Sequence, residues 1–239
     1  MQSLPLPRRL LAEFLGALLL AALVIGSGIA AQRLSDDVGL QLLENAAATA
    51  AGLFALILMF GPVSGAHFNP VVSLVDAAFG GLSWRDAAAY LPAQVAGCTA
   101  GAVLANGMYE LAAISISDTH RASAGPLLAE VVATSGLLLL IFSLVRSGRA
   151  GSAPAAVGAY IGAAYWFTSS TSFANPAITV GRMFSDTFAG IAPASAPAFT
   201  AMQLVGAGLA VGLIRALYPG VTAAQASDVV VPHPREVAP

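Results

Sequence analysis

The sequence predicts an all-α membrane protein with six membrane-spanning helices and two shorter helices that enter the bilayer without crossing it. The first observation is composition: of 239 residues, 57% are hydrophobic and 9% are charged, whereas a typical soluble domain has about 25% charged residues. The second is a set of six long apolar stretches, and the third is a repeat that relates the two halves of the chain. Because so few charges cannot cover a water-facing surface, the outside of the fold is expected to face lipid.

Charge and cysteine content exclude several classes of partner. The formal net charge is −2 and all ten basic residues are arginine, so the sequence predicts no basic face for nucleic acid. Cys98 is the single cysteine, which excludes an intrachain disulfide and a cysteine metal cluster. It is interpreted as a small apolar packing residue. The sequence predicts no metal and no cofactor.

Each of the six long apolar stretches is predicted to be a helix. A span needs about 20 mainly apolar residues, and backbone groups in lipid must bond within their own segment. A cleaved signal peptide is the alternative for the first stretch, which follows Arg8 and Arg9; Glu13 within it and the equally long runs after it argue against that alternative. The predicted spans are residues 8–31, 40–62, 84–107, 127–146, 153–171 and 198–218.

Glycines spaced by four residues recur in three of the spans and predict faces where helices approach closely. The pairs are Gly97/Gly101, Gly158/Gly162 and Gly208/Gly212.

The distribution of arginines predicts that both termini lie in the cytoplasm and that the protein crosses the inner (plasma) membrane several times. With the N-terminus inside, the cytoplasmic side holds Arg8, Arg9, Arg85, Arg146, Arg149, Arg215 and Arg235, and the outer side holds Arg33, Arg121 and Arg182. After Tyr218 the chain loses its apolar character and contains several prolines. Residues 219–239 are therefore predicted to be a disordered cytoplasmic tail.

Two apolar stretches, residues 69–80 and 175–189, are too short to span and each begins with Asn-Pro. Asparagine is a preferred helix N-cap and proline is favoured at the first helical position, so each stretch is predicted to be a half-length helix. The segments before them, residues 61–65 and 168–172, are expected to be non-helical. Such backbone is tolerated at membrane depth only inside protein or beside a watery cavity.

The two halves repeat each other with nearly constant offsets. Leu11-Ala12-Glu13 recurs as Leu128-Ala129-Glu130, Asn69-Pro70 as Asn175-Pro176, and Gln94-Val95-Ala96-Gly97 as Gln203-Leu204-Val205-Gly206. Three spans per half is an odd number, so the two repeats have opposite orientations in the membrane. Inverted repeats with paired broken helices place a site near the midplane.

These motifs are similar to those of the aquaporin and aquaglyceroporin (major intrinsic protein) family. Segments 64–71 and 173–177 resemble the family's paired Asn-Pro-Ala boxes, with Val71 replacing the first alanine. The resemblance covers residues 8–218 and implies a right-handed bundle of six transmembrane helices plus two re-entrant half-helices, with one pore per subunit and a homotetramer. It makes the whole chain, residues 1–239, one channel domain, with repeat one at about 8–107 and repeat two at about 126–218. The implied pore junction consists of Asn69, Pro70, Val71, Asn175, Pro176 and Ala177.

At this junction two half-helices would meet by their N-termini, each carrying roughly half a positive charge. That field would oppose cations, and the two asparagine amides would donate N–H groups to a passing water or hydroxyl. Glu13 and Glu130 are interpreted as hydrogen-bond acceptors for the irregular backbone before each half-helix, because they recur symmetrically and have no basic partner in a span; a proton relay is the alternative. His67 is interpreted as a hydrogen-bonded loop residue, with a pH sensor as the alternative.

The family's usual spacing places an outer selectivity filter at Thr49, Ala163 (or the adjacent Gly162), Ser172 and Ile178. The last position is nearly always arginine in the family, so the filter is predicted to be wide, apolar and free of arginine. Arg182, one turn further on, either reaches the pore or pairs with Asp186 at i+4, and the pairing is preferred.

The segment from Asn175 to Gly190 resembles a bacterial branch associated with arsenic resistance. The predicted function is a passive channel for water, glycerol, urea and undissociated metalloid acids such as arsenous acid, with methylated arsenicals as further candidates. A water-selective channel and an ion-coupled carrier are the alternatives. An enzyme is not predicted, since no catalytic triad order or His-x-x-x-His pair lies in a span.

Overall fold

The computed structural model describes residues 4–219, and every regular element in that range is helical. The predicted tail falls almost entirely on residues 220–239, which lie outside the described residues. The helices are α1 (Leu6–Leu34), α2 (Val38–Ser64), α3 (Pro70–Phe79), α4 (Trp84–Met108), α5 (Ala124–Arg146), α6 (Ala153–Phe167), α7 (Pro176–Gly181) and α8 (Ala196–Leu217).

Helices α1, α2, α4, α5 and α8 are each long and apolar enough to cross a membrane. Helix α6 is shorter, with 15 residues, and ends at Phe167 instead of the predicted residue 171. A 3₁₀ turn at Ala150–Ser152 precedes it. Together the turn and the helix extend about 28 Å, close to the thickness of the hydrocarbon core, so α6 completes the six spans.

Helix α2 continues through Pro62 to Ser64, so the non-helical segment predicted at 61–65 begins only at Gly65. Gly65 ends the helix in the left-handed region, at φ 87°, and its N–H donates to the carbonyl of Gly61. Glycine has no Cβ to oppose this conformation, and the chain can turn there toward α3.

The two half-helices differ in length. Helix α3 has ten residues and ends at Gly80, as its sequence predicts. Helix α7 has six residues and passes into a 3₁₀ turn at Arg182–Phe184, so the predicted helix over 175–189 is wrong in its second half. The cause is a neighbouring loop: Ser115 and Ser117 donate their backbone N–H groups to the carbonyls of Phe184 and Met183, which are therefore not available to extend the helix.

Close packing of α1 on α4 is repeated by α5 on α8. A Cβ at Gly97 or Gly101 would collide with the backbone of α1, and one at Gly206 would collide with the backbone of α5. Gly158 and Gly162 pack similarly on α2. A Cβ added at Gly208 or Gly212 would meet nothing within 4 Å among the described residues, so the predicted close helix approach is wrong for that pair within residues 4–219. Gly206 takes the role, as the repeat counterpart of Gly97.

Candidate functional site

The N-termini of α3 and α7 meet inside the bundle and are joined by two reciprocal hydrogen bonds. Asn69 Nδ2 donates to the carbonyl of Ala174 at 2.8 Å, and Asn175 Nδ2 donates to the carbonyl of Phe68 at 2.9 Å. Each asparagine thus fixes the loop that precedes the other asparagine. Hydrogen bonds from both repeats therefore hold the junction in place.

The oxygen of each asparagine side chain caps its own half-helix. Asn69 Oδ1 accepts from the N–H of Val71 at 3.1 Å, and Asn175 Oδ1 accepts from the N–H of Ala177 at 2.9 Å. With the oxygen held in this way, the amide nitrogen must face the opposite repeat. An asparagine amide has two N–H donors, so one remains for a passing molecule.

Both asparagines line a central cavity with a volume of about 70 Å³. A water molecule needs roughly 10–15 Å³ by this measure, so the cavity has room for about five waters. The remaining box residues, Pro70, Val71, Pro176 and Ala177, are buried and do not line the cavity.

The backbone before each asparagine is strained in the same way in both repeats. Ala66 and Phe68 have φ of 51° and 50°, and their counterparts Ser172 and Ala174 have φ of 49° and 47°. Non-glycine residues rarely occupy this left-handed region, and such strain persists only where the surroundings enforce it.

In the first repeat the enforcing group is Glu13, which is fully buried. One carboxylate oxygen accepts from Ser64 Oγ at 2.6 Å and from the N–H of His67 at 3.0 Å. The other accepts from the N–H of Phe68 and from Gln94 Nε2, both at 2.7 Å. A carboxylate with its lone pairs engaged in this way is a structural acceptor.

Glu130 is the counterpart in the second repeat and is also fully buried. It accepts from the N–H groups of Phe173 and Ala174, both at 2.9 Å, and from Gln203 Nε2 at 2.6 Å. Gln203 also donates to Thr179 Oγ1 at 3.0 Å, as Gln94 does to Ser73 Oγ in the first repeat.

The cavity wall differs from the predicted filter at one of its four positions. Thr49, Ser172 and Ile178 line the cavity, but Ala163 does not. Ala163 is exposed on the outer face of α6. At 100° per residue, the inward face of this helix carries Val157, Ile161 and Tyr165 instead.

Tyr165 is therefore a cavity residue that counting along the chain missed. Its hydroxyl lies 3.2 Å from Thr49 Oγ1, which joins α6 to α2 across the wall. Ser172 Oγ is buried and has no hydrogen-bond partner among the described residues. The apolar i, i+4 spacing of Val157, Ile161 and Tyr165 is the signal that could have identified this face.

Arg182 lines the cavity, which is the alternative to the preferred pairing with Asp186. It is 3% exposed, its Nε donates to the carbonyl of Ala189, and its guanidinium carbon lies 3.5 Å from the centre of the Phe173 ring. The preferred pairing with Asp186 is wrong, because no carboxylate of the described residues lies within salt-bridge distance of Arg182. Asp186 Oδ1 accepts from the N–H of Asp118. An i, i+4 pair requires a continuous helix, and α7 ends before Arg182.

His67 lines the cavity in the first repeat, where its Nδ1 lies 3.0 Å from Ser73 Oγ. Its Nε2 lies 3.6 Å from Asp76 Oδ2. Asp76 is a buried acid that the sequence analysis did not single out, and it follows Asn69 by seven residues, as Arg182 follows Asn175. Equivalent positions of the two repeats thus carry an acidic and a basic residue.

Similarity to known proteins extends over most of the chain. The model of the family described as Major intrinsic protein matches residues 1–174. Aquaglyceroporin AqpS of Rhizobium meliloti (strain 1021) is 49% identical over 215 residues, which cover 90% of this chain and 92% of that protein. Aquaporin NIP1-4 of Oryza sativa subsp. japonica is 34% identical over 179 residues, which cover 72% of this chain and 64% of that protein. The solved structure of the aquaglyceroporin from Plasmodium falciparum superposes with a TM-score of 0.70 at 21% identity, covering 88% of this chain and 96% of that one.

Proposed function

Because the chain belongs to the major intrinsic protein family and is a passive membrane channel for water and small neutral solutes, we propose that it favours solutes larger than water. The candidates are glycerol, urea and undissociated metalloid acids such as arsenous acid. The observation that carries the proposal is the composition of the cavity wall, which combines a few polar side chains with many aliphatic ones.

Four of the polar side chains that line the cavity are Thr49, Tyr165, Ser172 and Arg182, which we term the arginine site. Most of the lining is aliphatic and includes Ile161 and Ile178. A polyol has both hydroxyls and C–H groups, so it can contact both kinds of side chain at once. Water has no apolar group, and the aliphatic side chains offer it no hydrogen bonds.

Undissociated arsenous acid fits the same chemistry as a small polyol, since it carries three hydroxyl groups and no charge. The guanidinium of Arg182 supplies donors, and the hydroxyls of the arginine site supply acceptors. The high identity to a bacterial protein named an aquaglyceroporin supports this solute class.

The asparagine junction is proposed to orient each passing molecule and to break a chain of hydrogen-bonded waters. The free N–H donors of Asn69 and Asn175 would hold the oxygen of a water so that it cannot accept protons from its neighbours. Because peptide dipoles sum along a helix, the six-residue α7 gives a weaker field than ten-residue α3. Arg182 adds a full positive charge on the side of the shorter helix.

The membrane, the orientation and the assembly of the channel are also part of the proposal. We place this integral multi-pass protein in the plasma membrane with both termini in the cytoplasm, as one channel domain that assembles into a homotetramer. The excess of arginines on the proposed inner side supports the orientation. Exposed apolar side chains on α2 and α6, such as Phe54, Leu58, Trp166 and Phe167, supply surface for lipid or neighbouring subunits.

Stopped-flow light scattering on proteoliposomes tests the solute class. Water, glycerol, urea and arsenous acid permeabilities are compared on the same vesicles and against protein-free vesicles. We expect glycerol and arsenous acid to pass well above the lipid background. A channel that conducts water alone would overturn the proposal in favour of a water-selective pore.

A further inference from the structure

We infer that the arginine site binds a small planar monovalent oxyanion, of the carboxylate or nitrate class, which blocks the pore to neutral solutes. This inference rests on the proposed function because it concerns the same cavity. It goes beyond that function because an ion, rather than a permeating neutral molecule, would be the tightest ligand.

The first observation is that Arg182 has no ionic partner among residues 4–219. Among the described residues no carboxylate lies within salt-bridge distance of it. The carbonyl of Ala189 and the face of the Phe173 ring stabilise its positive charge instead. Glu130, the buried acid of this repeat, is already engaged with Phe173, Ala174 and Gln203.

The second observation concerns donors that remain free. Arginine has five N–H donors, and in the described part of the chain only Nε–H of Arg182 is hydrogen-bonded. The side chain of Arg182 lines the cavity, so its terminal amino groups can meet a ligand there. A guanidinium presents parallel N–H groups that match the two oxygens of a planar oxyanion.

Ser172 supplies an independent sign of a missing ligand. It is 4% exposed and lines the same cavity, yet its hydroxyl has no partner among residues 4–219. A buried hydroxyl without a hydrogen bond is unfavourable. An oxyanion held by Arg182 would give this hydroxyl an acceptor.

A second guanidinium strengthens the positive potential. Arg121 donates to the carbonyls of Gly190 and Phe188, and its guanidinium carbon lies 5.6 Å from the centre of the same Phe173 ring. Arg121 has no carboxylate within salt-bridge distance in the described range either. Two guanidinium groups around the Phe173 ring make this end of the pore attractive to an anion and repulsive to a cation.

A captured anion has no favourable route onward. Most of the other residues that line the cavity are aliphatic, and an unpaired ion is costly in such surroundings. The asparagine junction offers only the partial positive charges of two helix ends, which are weaker than the full charge of Arg182. The ion would therefore occupy the pore rather than cross it.

The test measures glycerol permeability of proteoliposomes while sodium formate replaces sodium chloride at constant ionic strength and pH 7, where formate is ionised. Binding of ¹³C-labelled formate to the detergent-solubilised protein is measured in parallel by NMR. We expect saturating formate to reduce glycerol permeability at least about threefold in the wild type. The Arg182→Gln variant should lose both the inhibition and the binding.

Two further variants sharpen the test. Arg33→Gln removes an exposed arginine at the same end of the bundle, which bonds to the carbonyl of Tyr109, and should leave the inhibition unchanged. Arg182→Lys keeps the charge without the parallel N–H pair, so its formate affinity should fall about tenfold. If Arg182→Gln does not fold, the formate affinity of Arg182→Lys tests the inference in its place.

The inference is overturned if formate neither binds nor inhibits while glycerol still passes, a result that leaves the proposed function intact. Equal inhibition in wild type and Arg182→Gln also overturns it. If glycerol does not pass at all, the proposed function fails, and the NMR measurement alone decides whether the anion site exists.

Discussion

The guanidinium carbon of Arg182 lies 3.5 Å from the centre of the Phe173 ring, a contact that joins the two sides of the second asparagine box. Phe173 precedes Asn175 by two residues and Arg182 follows it by seven. The ring holds the long side chain in the cavity after the helix has ended. Because of this contact, the pore has an arginine although Ile178 occupies the position that the family gives to one.

A second guanidinium at position 178 should narrow the pore. In Ile178→Arg, a larger and charged side chain enters a wall that already contains Arg182, so glycerol permeability should fall several-fold while water permeability changes less. Paired measurements on the same vesicles, normalised to protein content, give the ratio. A constant or rising glycerol-to-water ratio would show that Ile178 does not shape the constriction.

The corrected α6 face predicts a contrast between two neighbouring positions. Tyr165→Ala removes a large cavity side chain and frees Thr49 Oγ1, so urea and glycerol permeabilities should rise about two- to fivefold relative to water. Ala163→Leu adds volume on the exposed face and should leave all three unchanged. If selectivity changes with the residue at position 163 and not with the residue at 165, the filter predicted from the family's spacing, which includes Ala163, is correct.

Replacing either junction asparagine by aspartate should damage selectivity more than any change at Val71. Asn69→Asp and Asn175→Asp each exchange an amide donor for a carboxylate, which removes the bond to the opposite loop and offsets the local positive field. Proton leak, read with a pH-sensitive dye in the vesicles, should rise and solute flux should drop. Val71→Ala, buried behind the wall, is the matched control, and leak-free Asp variants at normal membrane levels would refute this assignment.

Glu130→Gln should destabilise the fold by about 3 kcal/mol, since hydrogen bonds to a charged group are lost and a carboxamide N–H must face backbone donors. The midpoint of thermal unfolding in detergent should fall by several degrees. Asp36→Asn, on an exposed loop, provides the control. Equal stability of Glu130→Gln and wild type would mean that the carboxylate does not hold the strained loop.

Transport should be passive. Glu13 and Glu130 are saturated with hydrogen bonds to the protein, which leaves neither of them free to carry a proton across. Vesicles with an imposed proton or sodium gradient and equal glycerol on both sides should show no net glycerol movement. Accumulation of glycerol on one side, driven by the ion gradient, would identify a coupled carrier instead.

The sequence predicts the architecture well because its signals are local. Apolar length identifies the spans, and the caps Asn69 and Asn175 start the half-helices at Pro70 and Pro176. The errors arise where a distant contact decides. Loop 111–117 ends the second half-helix early, and this moves Arg182 out of the i, i+4 register with Asp186. Counting to Ala163 fails because residue spacing says nothing about how α6 is rotated in the bundle.

A channel built from two inverted copies would present identical mouths if the copies were identical. Here the seventh residue after each asparagine breaks that equivalence, with Asp76 beside an imidazole at one end and Arg182 over a phenyl ring at the other. A neutral solute at equilibrium cannot sense the difference. An ion can, so a small anion should obstruct the pore from the face of the membrane nearer Arg182 and not from the other face.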